Sequence, residues 1–370
     1  MLSKIREFLK KEAVLSVSAL CAVLTVVIIP PDAEYLHYID FRVLCLLLSL
    51  MTVVAGFKSV GTFQWLTGLI LNHVKSGRAL SITLVLLPFF SSMLVTNDVA
   101  LLIFIPFTLL LLQELQFDRE TVPIIVLQTV AANLGSMATP VGNPQNLFLY
   151  GAFDLTPNAF FGVVLPLTLV SFICLFGASC FILPKNLPQL HRKNEKISSV
   201  GALLIYVTLF ALCLLTVFRV VHYLITTAII LLFVISVNRK LLKEVDLMLL
   251  ATFVCFFVVS ENLGRMDIIR SFLQSLLTKN TFMTSIGASQ IISNVPAAVL
   301  LAGFTDQWKQ LLAGVNIGGL GTPIASLASL ITLKFYLKWP GARIGRFLLI
   351  FTLANLIGLL ILSCFFQIMI

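Results

Sequence analysis

Asn133-Leu134-Gly135-Ser136-Met137-Ala138-Thr139-Pro140 and Asn316-Ile317-Gly318-Gly319-Leu320-Gly321-Thr322-Pro323 superimpose without a gap. Asn, Gly, Thr and Pro coincide, and the other four pairs are similar in size or polarity. Each segment ends an apolar run with residues that cannot continue a helix. The first passes through Thr139-Pro140-Val141-Gly142-Asn143-Pro144 before an apolar pattern resumes over Asn146–Phe153. The second breaks over Gly318–Pro323. Proline removes a backbone donor and clashes with the preceding turn, so each segment predicts a discontinuous helix.

Upstream of each break stands a second polar interruption. Thr96-Asn97-Asp98 interrupts the run from Ala79 to Leu112, which also holds Pro88 and Pro106. Ser293-Asn294-Val295-Pro296 interrupts the corresponding segment of the second half. Three polar residues in mid-run are costly in lipid unless the backbone turns inside protein or a wet cavity. Each interruption predicts a re-entrant helical hairpin. Further upstream, Trp65, Leu66, Leu69, Ile70 and Val74 recur at helical spacing, with Gln64, Asn72 and Lys75 elsewhere on the wheel. Ile268, Ile269, Phe272, Leu273, Leu276 and Leu277 do the same beside Arg270, Gln274 and Ser275. Both patterns predict amphipathic helices in the membrane interface. The order is therefore the same in both halves: interfacial helix, hairpin, broken helix.

The composition agrees with that membrane setting. Of 370 residues, 59% are hydrophobic and 11% charged, against about 25% charged in soluble domains. Mean hydropathy is +1.04. Such a chain has room for roughly ten spanning or re-entrant segments. The net charge of +9 lies in short clusters at the ends of apolar runs, as cytoplasmic loops require. No aromatic-interleaved basic stripe points to nucleic acid. Cys21, Cys45, Cys174, Cys180, Cys213, Cys255 and Cys364 lack metal-ligand spacing and read as small packing residues. His37, His73, His191 and His222 are isolated and read as interfacial or loop residues.

Lys4, Arg6, Lys10 and Lys11 precede an apolar stretch from Ala13 to Ile29, which predicts a first membrane helix with a cytoplasmic N-terminus. The polar loop from Pro184 to Ser198 is the natural linker. The expected organisation is a first repeat over 1–183, a cytoplasmic linker over 184–198 and a second repeat over 199–370. The first repeat has its hairpin tip at 96–98 and its break at 139–144; the second has them at 293–296 and 318–323. Counting spans brings the first hairpin in from the cytoplasm and the second from outside. The fold class is then an all-α polytopic membrane protein of inverted repeats, an architecture whose paired breaks mark a midplane binding site.

The breaks carry definite chemistry. Helix N-termini offer unpaired N–H groups to anions. Unwound carbonyls and amide oxygens near Asn97, Gly142 and Asn294 suit Na⁺ as a coupling ion; no other cofactor is expected. Asn97, Asp98, Ser293 and Asn294 are also good N-cap residues, with Pro296 near the first helical position. A residue here can cap and bind at once. Asp98 reads either as an N-cap carboxylate or as a proton or sodium relay. Asn143, Gln145 and Asn146 either line the same cavity or satisfy the broken backbone. Gln128, Gln290 and Asn355 read as interhelical hydrogen-bond groups, and Glu261 and Arg265 as interfacial side chains. No His-Glu-x-x-His, Gly-x-Ser-x-Gly or P-loop is present, so no enzyme or primary pump is expected and no residue is assigned a catalytic role.

These segments resemble the ion transporter superfamily, in particular its divalent-anion/sodium symporters, citrate permeases, arsenite permeases and sodium/proton antiporters. The resemblance runs from about Ala13 to the C-terminus. It implies that hairpin tips and broken helices enclose substrate and sodium, which implicates Thr96, Asn97, Thr139, Pro140, Gly142, Ser293, Asn294, Thr322 and Pro323. The dicarboxylate symporters resemble Ser-Asn-Thr at both tips. Thr96-Asn97-Asp98 and Ser293-Asn294-Val295 lack that third Thr, and the Asn-Asp pair is nearer the arsenite-permease and antiporter branch. The chain also has fewer helices before the first hairpin than larger members, whose extra helices build a dimer scaffold; monomer and homodimer both stay open. The expectation is a cell-membrane secondary transporter for a small anionic substrate, a carboxylate or arsenite-like oxyanion, coupled to Na⁺ or H⁺. The alternatives are a Na⁺/H⁺ antiporter using Asp98 and, from another class, a channel or non-transport membrane protein.

Overall fold

Sixteen α-helices and one 3₁₀ turn follow one another in the computed structural model, which describes residues 12–62, 65, 74–184 and 198–369; among these no strand occurs. The first interfacial helix expected near residues 64–75 falls mostly outside the described residues, as does the interior of the linker. The first half contains α1 (Ala13–Ile28), α2 (Tyr35–Tyr38), α3 (Phe41–Ser59), α4 (Gly77–Ser91), α5 (Asn97–Glu114), α6 (Asp118–Ser136), α7 (Pro144–Ala152) and α8 (Pro157–Ser179). The second contains α9 (Val200–Val217), α10 (Tyr223–Val237), the 3₁₀ turn Arg239–Lys243, α11 (Leu247–Gly264), α12 (Asp267–Ile292), α13 (Asn294–Ala302), α14 (Trp308–Ile317), α15 (Leu327–Leu337) and α16 (Ile344–Met369).

Local chemistry sets these boundaries. Asp40 caps α3 by accepting from the Val43 N–H, and Asp246 caps α11 by accepting from Leu249. Thr156 and Asn143 cap α8 and α7, each followed by proline at the first helical position, where its missing N–H costs nothing. Asn280 leaves helical geometry (φ −164°, ψ 93°) and its side chain accepts from the Met283 N–H. It thereby divides α12 into the expected interfacial stretch and the first arm of the second hairpin. Ile268 and Phe272 on the interfacial stretch are exposed, while Leu277 is buried.

Helix packing is reciprocal between the halves. Within each half, the first hairpin arm lies on the broken helix: α4 on α6, and α12 on α14. Across the halves, the returning arm of each hairpin packs on the far part of the other broken helix: α5 on α15, and α13 on α7. The last helix of each half crosses too, α16 on α6 and α8 on α14, and α1 packs on α11 as α10 packs on α3.

The surface confirms the solvent. Val17, Leu20, Val23, Leu24, Val27 and Ile28 are more than half exposed on α1, as are Leu169 and Ile173 on α8 and Leu349, Leu353, Ile357 and Leu360 on α16. Apolar area on this scale is untenable in water and suits acyl chains. Among the described residues six helices are long and apolar enough to span a membrane, with shorter apolar helices between them. The chain is a polytopic helical membrane protein. Its loops gather at two ends. Lys58 pairs with Glu244 (3.2 Å) and Arg346 donates to the Arg119 carbonyl (2.9 Å) at one; Arg265 pairs with Asp32 (2.7 Å) and Arg219 with Asp154 at the other. The Arg265 guanidinium, hydrogen-bonded to Asp32, holds that carboxyl below its ordinary range.

Candidate functional site

The two hairpin turns meet the two breaks in the same way. The backbone N–H of Asn97, first residue of α5, donates to the Gly142 carbonyl at 3.2 Å. The backbone N–H of Asn294, first residue of α13, donates to the Ala325 carbonyl at 3.0 Å. Gly142 and Ala325 stand in the same register of the aligned segments. Each hairpin is thus pinned to the unwound stretch of its own half, and one orphan N–H at the start of its second helix is satisfied there.

Side chains then join the halves. The Asn97 carboxamide donates to Asn133 Oδ1 (2.9 Å), which also accepts from the Ser326 hydroxyl (2.9 Å). The matching pair, Asn316 and Asn143, is bonded at 3.2 Å, with Asn143 donating. Asn316 donates in turn to Asn146 Oδ1 at 2.7 Å. Asn97, Asn133, Asn143, Asn146, Asn316 and Ser326 are all buried. A carboxamide in lipid-embedded protein is stable only when its donors and acceptors are matched, and this cluster matches most of them. The exceptions are informative: Asp98 Oδ1, Asn133 Nδ2 and Ser329 Oγ are buried without a partner. Asn294 is 4% exposed, and its carboxamide makes no hydrogen bond among the described residues. It lies over Gly319, where a Cβ would come within 2.7 Å of its Nδ2.

The expected site residues separate into two groups. Asn97, Gly142, Asn143 and Asn294 stand at the junction of tips and breaks, with Thr96 capping α5 and Asp98 in its first turn. Thr139 and Thr322 face the hairpins: the Thr139 hydroxyl donates to the Met93 carbonyl (2.5 Å), and the Thr322 hydroxyl to the Gln290 carbonyl (3.2 Å). Pro140 is buried in the first break, Pro323 half-buried in the second, and Thr322 exposed. Gln145 is buried in the first turn of α7. Gln290 donates to the Gly318 and Leu320 carbonyls and Gln128 to the Leu84 carbonyl and Thr108, which makes both interhelical ties. Asn133, Asn316, Ser326 and Ser329 are absent from the sequence-based site. The signal was the alignment itself, since the shared asparagine that sets its register is the residue that bridges the halves.

Ser293 closes the second hairpin at φ 73°, ψ 154°. That region is nearly glycine-only and costs about 1–3 kcal/mol. Ser293→Gly is expected to raise the melting temperature or leave it unchanged, because the relieved strain outweighs the ~0.5–1 kcal/mol entropy cost of glycine. Ser293→Val is expected to lower it. A thermal-unfolding series in detergent measures both.

Two cavities open at opposite ends, each beside one of the reciprocal interfaces. One, of about 810 Å³, lies where α5 meets α6 and α15 meets α16, and includes Arg119, Tyr336, Trp339 and Arg343 in its wall. The other, of about 410 Å³, lies at the ends of α7, α11 and α13, beside Asp40, Phe148, Glu261 and Val299. Between the first cavity and the asparagine cluster lie the apolar contacts of Val122, Ile125, Phe347 and Phe351, then the Thr129–Thr332 hydroxyl pair at 2.7 Å.

Comparison with known proteins agrees with this architecture. The citrate transporter family profile matches residues 5–313. An uncharacterized transporter of Methanocaldococcus jannaschii is 32% identical over 90% of this chain and 92% of its own length. The inner membrane protein YbiR of Escherichia coli is 29% identical over 80% of each chain. The silicon efflux transporter LSI3 of Oryza sativa subsp. japonica is 35% identical over 35% of this chain and 26% of its own. With its hairpins, broken helices and apolar surface, the chain belongs to the citrate transporter family of the ion transporter superfamily, and is a multi-pass membrane transporter.

Proposed function

We propose that the protein is a secondary transporter of a small anion or oxyanion, coupled to Na⁺ or H⁺, with substrate held at the junction of the hairpin tips and breaks. The observation that carries this reading is the buried asparagine cluster that bridges the halves while Asn133 Nδ2 and Asp98 Oδ1 are buried without a partner and the Asn294 carboxamide makes no hydrogen bond among the described residues. Buried groups left unpaired cost about 1–3 kcal/mol each, and a ligand restores that loss. Asn133 and Asn294 offer donors to an anion; Asp98 Oδ1 offers an oxygen to Na⁺ or a proton. The reciprocal packing supports inverted repeats and alternating access: parting α5 from α15 opens one cavity toward the centre, and parting α13 from α7 opens the other.

Charge supports a cytoplasmic N-terminus. The end that carries Asp32 and Asp154 has six basic residues among the described ones, Arg42, Arg219, Arg265, Arg270, Lys279 and Lys309. The opposite end carries at least ten, Lys58, Lys75, Arg78, Arg119, Arg239, Lys240, Lys243, Lys338, Arg343 and Arg346. The richer end is cytoplasmic by the positive-inside rule. The E. coli relative's name, an inner membrane protein, favours a cell-membrane location. The name of the Oryza sativa relative, a silicon efflux transporter, favours outward movement.

Transport by purified protein in liposomes, under imposed Na⁺ and pH gradients, tests the reading with citrate, sulfate and arsenite. Gradient-driven, saturable accumulation of one of them is expected; leakage down its own gradient only would make the protein a channel. A second reading, Na⁺/H⁺ antiport, draws on the unmatched Asp98 carboxylate. Na⁺/H⁺ exchange with no anion present would establish it. In either case Asp98→Asn is expected to alter the pH or Na⁺ dependence of flux while the protein inserts normally.

A further inference from the structure

We infer that the larger cavity is an anion-binding vestibule, built by both halves around Arg119, Arg343 and Arg346 and taking a small carboxylate or oxyanion, or the phosphate of a lipid headgroup. Its depth on the path to the asparagine cluster makes it the station from which substrate is loaded or released at the cytoplasmic end; that part rests on the transport reading.

Arg119 begins α6 in the first half, whereas Arg343 and Arg346 flank the start of α16 in the second. All three line one cavity of about 810 Å³. Among the described residues none of them lies within ion-pair distance of a carboxylate. Arg346 donates to the Arg119 carbonyl, which fixes the two arginines beside each other across the halves. The one acid in the wall, Asp118, pairs with none of them. A positive-inside bias accounts for basic residues at this end. It does not account for three arginines drawn from opposite halves into the wall of one concavity, where like charges repel until an anion joins them.

The other wall is ordered. The Tyr336 ring stacks on Phe347 and its hydroxyl accepts from the Arg343 N–H at 2.9 Å. Trp339 completes the rim. The floor is the apolar layer of Val122, Ile125 and Phe351, which separates the vestibule from the Thr129–Thr332 pair. The opposite cavity differs in sign: Asp40 and Glu261 stand in its wall, with no Lys or Arg. Anions are thus gathered at one mouth and cations at the other.

Trp339 provides the probe. In the full chain with Trp65→Phe and Trp308→Phe it is the sole tryptophan, since the sequence has three. Its emission is measured in phosphatidylcholine nanodiscs titrated with citrate and with sulfate. A saturable change is expected, weakened about tenfold by Arg343→Gln with Arg346→Gln, and tightened by Asp118→Asn. In phosphatidylglycerol nanodiscs, a change present before titration and abolished by the same arginine variants identifies the headgroup as the source of the anion. No arginine-dependent change in either nanodisc overturns the site. Asn97→Ala is expected to stop transport and leave the Trp339 titration intact. If the parent protein moves none of the tested anions under any imposed gradient while the titration persists, the transport reading fails and the vestibule stands.

Discussion

Asn97→Ala and Asn294→Ala are each expected to lower transport in proteoliposomes by roughly two orders of magnitude, the size of effect that follows from losing one hydrogen bond to a charged ligand plus the order it imposes. Membrane insertion and folding are expected to survive. The Asn97 carboxamide makes one interhelical bond, to Asn133, and accepts from the adjacent Asp98 N–H. Interhelical hydrogen bonds in membranes average only ~0.6 kcal/mol, too little to unfold ten apolar segments. Asn294 makes no side-chain bond among the described residues, so Asn294→Ala removes nothing that holds the fold. Loss of transport with an unchanged melting temperature therefore separates binding from structure most cleanly at Asn294. Full transport by both variants would remove the hairpin tips from the site.

Gly142→Ala is the second large effect, and here stability falls with transport. A Cβ at Gly142 would collide with the Ser136 carbonyl oxygen and stand 2.8 Å from the Ser92 carbonyl oxygen. Both are backbone atoms with no rotamer to give way. Gly142 also carries the carbonyl that receives the Asn97 N–H. The added methyl forces the first break away from its hairpin, an overpacking cost of about 1–3 kcal/mol. Gly162→Ala and Gly177→Ala supply the control, because a Cβ meets nothing within 4 Å at either. Both lie inside α8 and are expected to gain up to ~1 kcal/mol from helix propensity. Thermal unfolding of the three variants should place Gly142→Ala below the parent and the other two at or above it.

The elements themselves were legible in the chain. Pro140, Pro144 and Gly142 stop a helix wherever they stand in lipid, and Thr96-Asn97-Asp98 marks a turn for the same reason, so both breaks and both hairpins follow from local rules. The first hairpin arm ends at Ser91 and the second begins at Asn97, around the interruption read from sequence. The unwound stretch was placed less closely: α7 starts at Pro144, at the proline itself, because Asn143 caps it. Gln128 and Gln290 became ties because the amide of each finds a carbonyl outside its own helix.

Periodicity and breakers act over a few residues, and they were enough to dictate where helices stop and which stretches meet lipid. They carry no information about which atoms cross from one half to the other. Thr139 and Thr322 stand in the most conspicuous motif, yet packing turns their hydroxyls onto the hairpin backbone. Asn133 and Asn316 bridge the halves only because α5 crosses to α15 and α13 to α7. Arg119 and the Arg343–Arg346 pair, more than two hundred residues apart in the chain, share a wall for the same reason. Such contacts depend on how two folded halves interlock in three dimensions, and spacing along one strand of sequence does not encode that angle or depth.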